Sequence, residues 1–261
     1  MKLADYHQFT QTLTTNLRDH PHVLGLIALG SMANQDYQPD NWSDHDFFVI
    51  VTPGTQPQFK NDLSWLPNSD EIVLAFAETA HGMKVLYQFG HLLEFAIFEA
   101  SELDLARVNR YAVLIDKADI GRMIAERARE TAVTSQSNPP TDHNLYGQFL
   151  TNIFVGVGRH ARGEQISGRI FVTAYAINHL IRLITRHYDA PEKGVLDNLD
   201  PYRRFERVYP QMGQQLNDTL NQSTPEAALG LLSLSEIWLS DKITHFPQTA
   251  VSTLKTYIEK I

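Results

Sequence analysis

The spacing of apolar positions changes character halfway along the chain. Tyr6, Phe9, Leu13 and Leu17 recur every three or four residues through 4–19, and His20-Pro21 closes the stretch, which predicts an amphipathic first helix. Residues 23–29 and 46–51 are short apolar runs rich in β-branched and aromatic side chains. They predict two buried strands, separated by the turn-rich segment NQDYQPDNWSDH. EIVLAFAE at 71–78, KVLYQF at 84–89 and LLEFAIF at 92–98 predict three more, the last two split by Gly90-His91 as in a tight hairpin. A strand at 111–116, YAVLID, and a helix over 119–132 complete this half.

At 135–141 the chain reads SQSNPPT, with two adjacent prolines and no apolar residue, which marks a domain boundary. Beyond it the spacing is helical: Leu145, Phe149, Ile153 and Val157, then Ile170, Ala174, Ile177, Ile181 and Ile184, later Leu229, Leu232 and Ile237. The pattern predicts an α/β (α+β) domain over 1–134 on a mixed sheet, followed by an all-α helical bundle over 142–261. Ligands of such pairs usually sit in the cleft between the domains.

Composition narrows the function. The 261 residues are 43% apolar, ample for such a core, and 22 basic against 30 acidic side chains give a net charge of −8. That balance argues against a general nucleic-acid binder, which needs a basic face to displace counterions from phosphates. The charge is uneven: nine Lys/Arg against six Asp/Glu between Arg159 and Arg207 make that segment +3 and leave the rest near −11. The absence of cysteine excludes disulfides, thiolate zinc sites and cysteine nucleophiles. VLGLIALG at 23–30 falls far short of the ~20 apolar residues of a membrane helix. The opening MKLADYHQF has no apolar signal core, so a cytoplasmic protein is expected, binding neither nucleic acid nor membrane.

The chain lacks the Gly-x4-Gly-Lys-Ser/Thr phosphate loop, the His-Glu-x-x-His zinc helix and the Gly-x-Ser-x-Gly nucleophile elbow. Gly156-Val157-Gly158 lies inside a helical pattern with no third glycine at dinucleotide spacing and reads as helix packing. The informative stretch is 26–51. One strand ends in Gly30-Ser31, and the next opens with Asp44-His45-Asp46. Side chains two apart on a strand share a face, so both carboxylates can grip one hard cation. Gly30 lets backbone approach a ligand closely, and Ser31 offers a hydroxyl and an amide to a phosphate oxygen. Glu94, inside an apolar run, loses solvation unless it is paired, exposed or metal-bound. By itself, Asp-x-Asp also serves as ordinary turn chemistry, and Glu94 also suits an edge strand with one wet face.

Taken together, these positions resemble the nucleotidyltransferase superfamily that shares the DNA polymerase β palm: Gly-Ser after a strand, Asp-x-Asp on the next, a third acid on a neighbouring one. GSMANQ, WSDHDFFV and YAVLIDKAD are similar to antibiotic nucleotidyltransferases that adenylylate lincosamides or aminoglycosides, and ARGEQISGR and LDPYRRFERVYP to their helical domain. The resemblance implies transfer of AMP from ATP to a hydroxyl of a small molecule, with release of pyrophosphate. It implies Mg²⁺ held by Asp44, Asp46 and Glu94, and a triphosphate held by Gly30, Ser31 and Ser43. Glu94 would also serve as base, with Glu164 of the helical domain as the alternative; a homodimer is implied as well. The 12 residues between Ser31 and Asp44 exceed the family's usual loop, a departure that bears most on Ser43. Helical-domain cations can face the triphosphate, and Tyr37, Trp42 and Tyr202 can stack on a base. His45, between the aspartates, should point away from the metal.

Three other readings compete. Aspartate-nucleophile phosphohydrolases place the apolar strand before Asp-x-Asp, whereas here FFVIV follows it. A catalytically silent or antitoxin-type binding protein would have lost a carboxylate, and all three are present. Transfer of AMP to a protein remains the third.

Overall fold

The computed structural model describes residues 1–35, 38–136, 139–197 and 199–261. The chain divides into two compact units, Met1–Ser137 and Asn138–Ile261. The first opens with α1 (Leu3–Arg18), whose Tyr6, Phe9, Leu13 and Leu17 are all buried. β1 (Val23–Leu29), β2 (His45–Val51), α2 (Gln56–Asn61), β3 (Ile72–Ala77), β4 (Gly82–Tyr87), β5 (His91–Glu99), β6 (Tyr111–Asp116) and α3 (Ile120–Gln136) follow. The six strands form one sheet in the order β3-β4-β5-β2-β1-β6. Among the described strands only β2 and β5 run parallel; the other neighbouring pairs are antiparallel, so the sheet is mixed.

Period-two alternation distributes the side chains between two cores. On one face Phe47, Val49 and Val51 of β2 join Leu93, Phe95 and Ile97 of β5 beneath α1. On the other, Ile50, Phe98 and Ile27 pack with Ile120 and Ile124 of α3. The start of α3 is fixed by Asp116, whose carboxylate accepts from the amides of Ala118, Ile120 and Gly121. Those bonds, that of Gly121 foremost, hold the carboxyl below its usual range. β3 lies at the sheet's edge with Val73, Leu74 and Phe76 exposed.

The second unit is helical: α4 (Asp142–Ala161), α5 (Gln165–Ile170), α6 (Ile177–His187), α7 (Phe205–Val208), α8 (Pro210–Leu220), α9 (Thr224–Leu239) and α10 (Gln248–Ile258). A π turn, Phe171–Ala176, joins α5 to α6 and corrects the expected face. A π turn adds a residue to the turn and rotates what precedes it. Gly168, Val172 and Ala176 therefore face the core instead of Ile170 and Ala174, while Ile177, Ile181 and Ile184 remain inside as expected. The Ala174 carbonyl accepts from the Tyr202 hydroxyl. Ile237, expected in the core, is 72% exposed, and Trp238 is buried instead. Among the described residues, no helix is long and apolar enough to cross a membrane.

Gly156 and Gly168 bring α4 and α5 into backbone contact. A Cβ at Gly168 would lie 2.6 Å from the Gly156 carbonyl oxygen and 2.8 Å from the His160 nitrogen. Backbone cannot yield as a flexible side chain can. Gly168→Ala is accordingly expected to cost the C-terminal unit about 1–3 kcal/mol, the range for overpacking. Urea denaturation checks this, and an unchanged midpoint would contradict so close an approach.

Candidate functional site

Three titratable side chains form a row across the middle of the sheet. In the parallel pairing of β2 with β5, Asp46 stands opposite Glu94. In the antiparallel pairing of β4 with β5, Lys84 stands opposite the same Glu94. Directly paired residues share a face, so Lys84, Glu94 and Asp46 project from one side of three adjacent strands. Further along that side come Phe48 and Ala96, then Ile50 and Phe98, which belong to the core under α3. The face is thus apolar at one end and polar at the other, where Asp46 and Glu94 are both half-buried. Glu94 does not sit on an edge strand, since β5 lies between β4 and β2.

Asp44 stands just before β2, two residues from Asp46 and hence on the same side by alternation. Between them, His45 turns the opposite way and is 0% exposed. Its Nδ1 lies 2.7 Å from His91 Nε2 and its Nε2 lies 2.9 Å from the Thr10 hydroxyl. The ring of Tyr6 stacks on it at 3.8 Å, and the Tyr6 hydroxyl donates to the Asp44 carbonyl at 3.0 Å. Helix α1 therefore clamps the backbone of the Asp-x-Asp segment from behind. Burial, with His91 adding repulsion, depresses the pKa of His45; burial likewise depresses that of His91. Both rings are kept neutral, one donating to the other.

Gly30 ends β1 at φ +52°, a left-handed conformation that favours glycine. Ser31 follows in a 3₁₀ turn, Gly30–Ala33, and is nearly buried. That turn packs against β2, which supplies the aspartates. Ser43 is engaged by its own loop: its hydroxyl accepts from the Asp40 amide and donates to the Asp40 carboxylate. Trp42 is 94% exposed, and Tyr37 lies outside the described residues.

Lys84 was not foreseen from the sequence. Its Nζ lies 3.0 Å from Glu94 Oε1 and 3.0 Å from Glu78 Oε1. Hydrogen bonding to Glu78 and then to Glu94 raises its pKa, so the ammonium persists beside the acids. Among the described residues, no three His, Asp or Glu side chains converge as a metal-holding group. The donors suit a different arrangement. Mg²⁺ is commonly held by one or two carboxylates together with substrate phosphates, and Asp44 and Asp46 offer such a pair.

In the helical unit Glu164 precedes α5 and pairs with Arg162 at 3.3 Å. Most of the expected cations are neutralised or hydrogen-bonded nearby. Arg159 donates to Ser167, Arg169 to the carbonyls of Leu220 and Gln222, and Arg186 to Asp142. Lys193, Arg204 and Arg207 pair with Asp189, Asp197 and Glu192. Arg182 and Arg203 make no ion pair among the described residues. Tyr202 is occupied at the π turn.

No family model and no curated protein matches the chain. Several solved structures do. An aminoglycoside 6-adenyltransferase from Bacillus subtilis is 14% identical, covers 96% of each chain and superposes with a TM-score of 0.37. A STING-associated CdnE c-di-GMP synthase from Capnocytophaga granulosa is 14% identical over 97% of this chain and 80% of its own, with a TM-score of 0.29. The E. coli MS115-1 CdnC:HORMA-deltaN complex gives 14%, 99%, 90% and 0.32 in the same order.

The neutral histidine pair makes stability depend on pH. In the unfolded chain both rings take up a proton near their ordinary value of 6.5, whereas the fold resists it. The unfolded state then binds more protons, so stability is lost as pH falls below about 6.5. At pH 5 each ring costs about 2 kcal/mol. In metal-free buffer, urea denaturation at pH 7.5 and 5.0 should show this loss, reduced by about half in His91→Gln. A pH-independent midpoint would mean that the rings are not buried as a neutral pair.

Proposed function

We propose that the protein is a Mg²⁺-dependent nucleotidyltransferase that moves AMP from ATP to a hydroxyl of a small molecule, with a lincosamide or an aminoglycoside as leading acceptors. The observation that carries this reading is the β2–β5 register, which brings Asp46 and Glu94 side by side with Asp44 two residues away. Phosphoryl-type transfer needs little covalent chemistry from a protein; it needs aligned oxygens and charge placed where charge develops.

Asp44 and Asp46 would hold Mg²⁺ together with triphosphate oxygens, and the metal would neutralise the charge building on the phosphates. Gly30 and Ser31 would cradle the triphosphate, the glycine by letting the backbone come close and the serine through its hydroxyl and amide. Ser43 would join them by releasing Asp40. The acceptor oxygen bonds to the α-phosphorus of ATP, the bond from that phosphorus to the β-phosphate's bridging oxygen breaks, and pyrophosphate departs. The acceptor's proton passes to Glu94. Lys84 pairs with Glu94 and holds its carboxylate in place, and Glu78 is the ammonium's second partner.

The N-terminal unit would thus carry the transfer and the helical unit the acceptor. Among the described residues, Arg182 and Arg203 are the cations of the +3 segment whose side chains make neither an ion pair nor a hydrogen bond.

Two variants test the assignment. With ATP, Mg²⁺ and a panel of lincosamides and aminoglycosides, mass spectrometry should detect an acceptor heavier by one adenylyl group. Asp46→Asn should lower that yield about 10²–10³-fold with an unchanged circular dichroism spectrum; full activity would refute its role. Glu94→Gln should slow turnover about 10²-fold with ATP affinity nearly unaltered, and an unaltered rate would move the base elsewhere. A panel that yields no adenylylated product would overturn the antibiotic acceptor.

A further inference from the structure

Glycine in a helix interior weakens the helix, so its presence asks for a reason. In α4 the reason for Gly156 is contact: a Cβ there would lie 2.8 Å from Val172 and 2.9 Å from the Gly168 carbonyl oxygen. Gly147, in the same helix, has no such neighbour. A Cβ at this position would meet nothing within 4 Å. It would instead enter a cavity of about 840 Å³ that α4 lines on one side and α10, with the chain leading into it, on the other.

Leu150 and Phe154 form one wall of this cavity, and Phe246 and Leu254 another. Among the described residues lining it there is no Asp, Glu, Lys or Arg, although one residue in five of the chain is charged. Its volume is that of a small-molecule site, roughly 300–1,000 Å³. A charged guest would find no carboxylate, ammonium or guanidinium partner among those residues. Uncharged hydrogen-bonding groups are present at Gln248 and Thr249.

We propose that this cavity is a second ligand site, selective for an uncharged, ring-bearing small molecule, and that Gly147 keeps it open. The aromatic and aliphatic walls cover the ring body, and the rim orients one polar substituent. The site lies wholly within the helical unit and requires neither nucleotide nor metal.

The test uses the full chain without nucleotide, so its outcome is independent of AMP transfer. N-phenyl-1-naphthylamine, a neutral fluorophore, is titrated into the protein, with the anionic 8-anilinonaphthalene-1-sulfonate as comparator. One saturable site is expected, with at least about tenfold preference for the neutral probe. Gly147→Leu, which projects into the cavity, should weaken neutral-probe binding about tenfold or more without lowering the thermal midpoint. Thr253→Met, which fills from the α10 side, should do the same, so the result does not rest on one variant. Absence of saturable neutral-probe binding, equal or tighter binding of the anionic probe, or unaltered affinity in both variants would overturn the proposal. So would a wild-type dimer that Gly147→Leu converts to a monomer, because a second copy of the chain would then be the occupant.

Discussion

A strand cannot bury one residue without turning its two neighbours to the opposite face. At the head of β2 that geometry acts on Asp44, His45 and Asp46. His45 is the peg: Tyr6 stacks on it, Thr10 and His91 bond to its two nitrogens, and no part of it reaches solvent. With the imidazole fixed among α1 and β5, both aspartates must face the other way. A slip of one residue would drive two carboxylates into an apolar core and expose the histidine, an exchange that desolvation forbids. The acidic face is therefore positioned from behind, through the buried imidazole and the backbone beside it.

The second determinant is the row from β4 to β2. One cation and two acids stand in a row across three strands, Lys84, then Glu94, then Asp46, so the repulsion between the adjacent acids is opposed by the ammonium paired with Glu94. On the same face Asp44 and Asp46 present carboxylate oxygens, the donor type a hard cation takes. The same row explains why three carboxylates do not close on one point: Glu94 is drawn towards Lys84 on one side while Asp46 lies on the other.

Much of this was legible in the sequence, and the rest has identifiable causes. Strand positions followed from apolar runs, and the shared face of Asp44 and Asp46 followed from alternation. Lys84 escaped because of one turn. A two-residue loop at Gly90-His91 would set Lys84 opposite Ile97. The observed turn occupies Gln88 to Gly90 and pairs Tyr87 with His91, which moves the register by three. An odd shift changes the face, and so brings Lys84 to Glu94. That Glu94 stands near Asp46 came only from the family resemblance; their residue-by-residue register was not readable from local pattern, because parallel register is set by packing between distant segments rather than by a local turn. In the helical unit the π turn has a similar effect: one added residue exchanged Ile170 and Ala174 for Val172 and Ala176, and no hydrophobic period announces it. The +3 segment was read correctly as charge, but most of that charge is already matched by neighbouring carboxylates or satisfied by carbonyls.

The single parallel pairing also has a consequence in time. Parallel neighbours cannot be joined by a tight turn; here α2, β3 and β4 all lie between β2 and β5. Local contacts such as the β4–β5 hairpin form early, while the β2–β5 junction must wait for a long loop to close. During synthesis the chain therefore displays Asp44 and Asp46 well before Glu94 exists to stand beside them. The acidic face is assembled by one of the slower steps of folding, after the hairpin that carries Lys84 and Glu94 has been made.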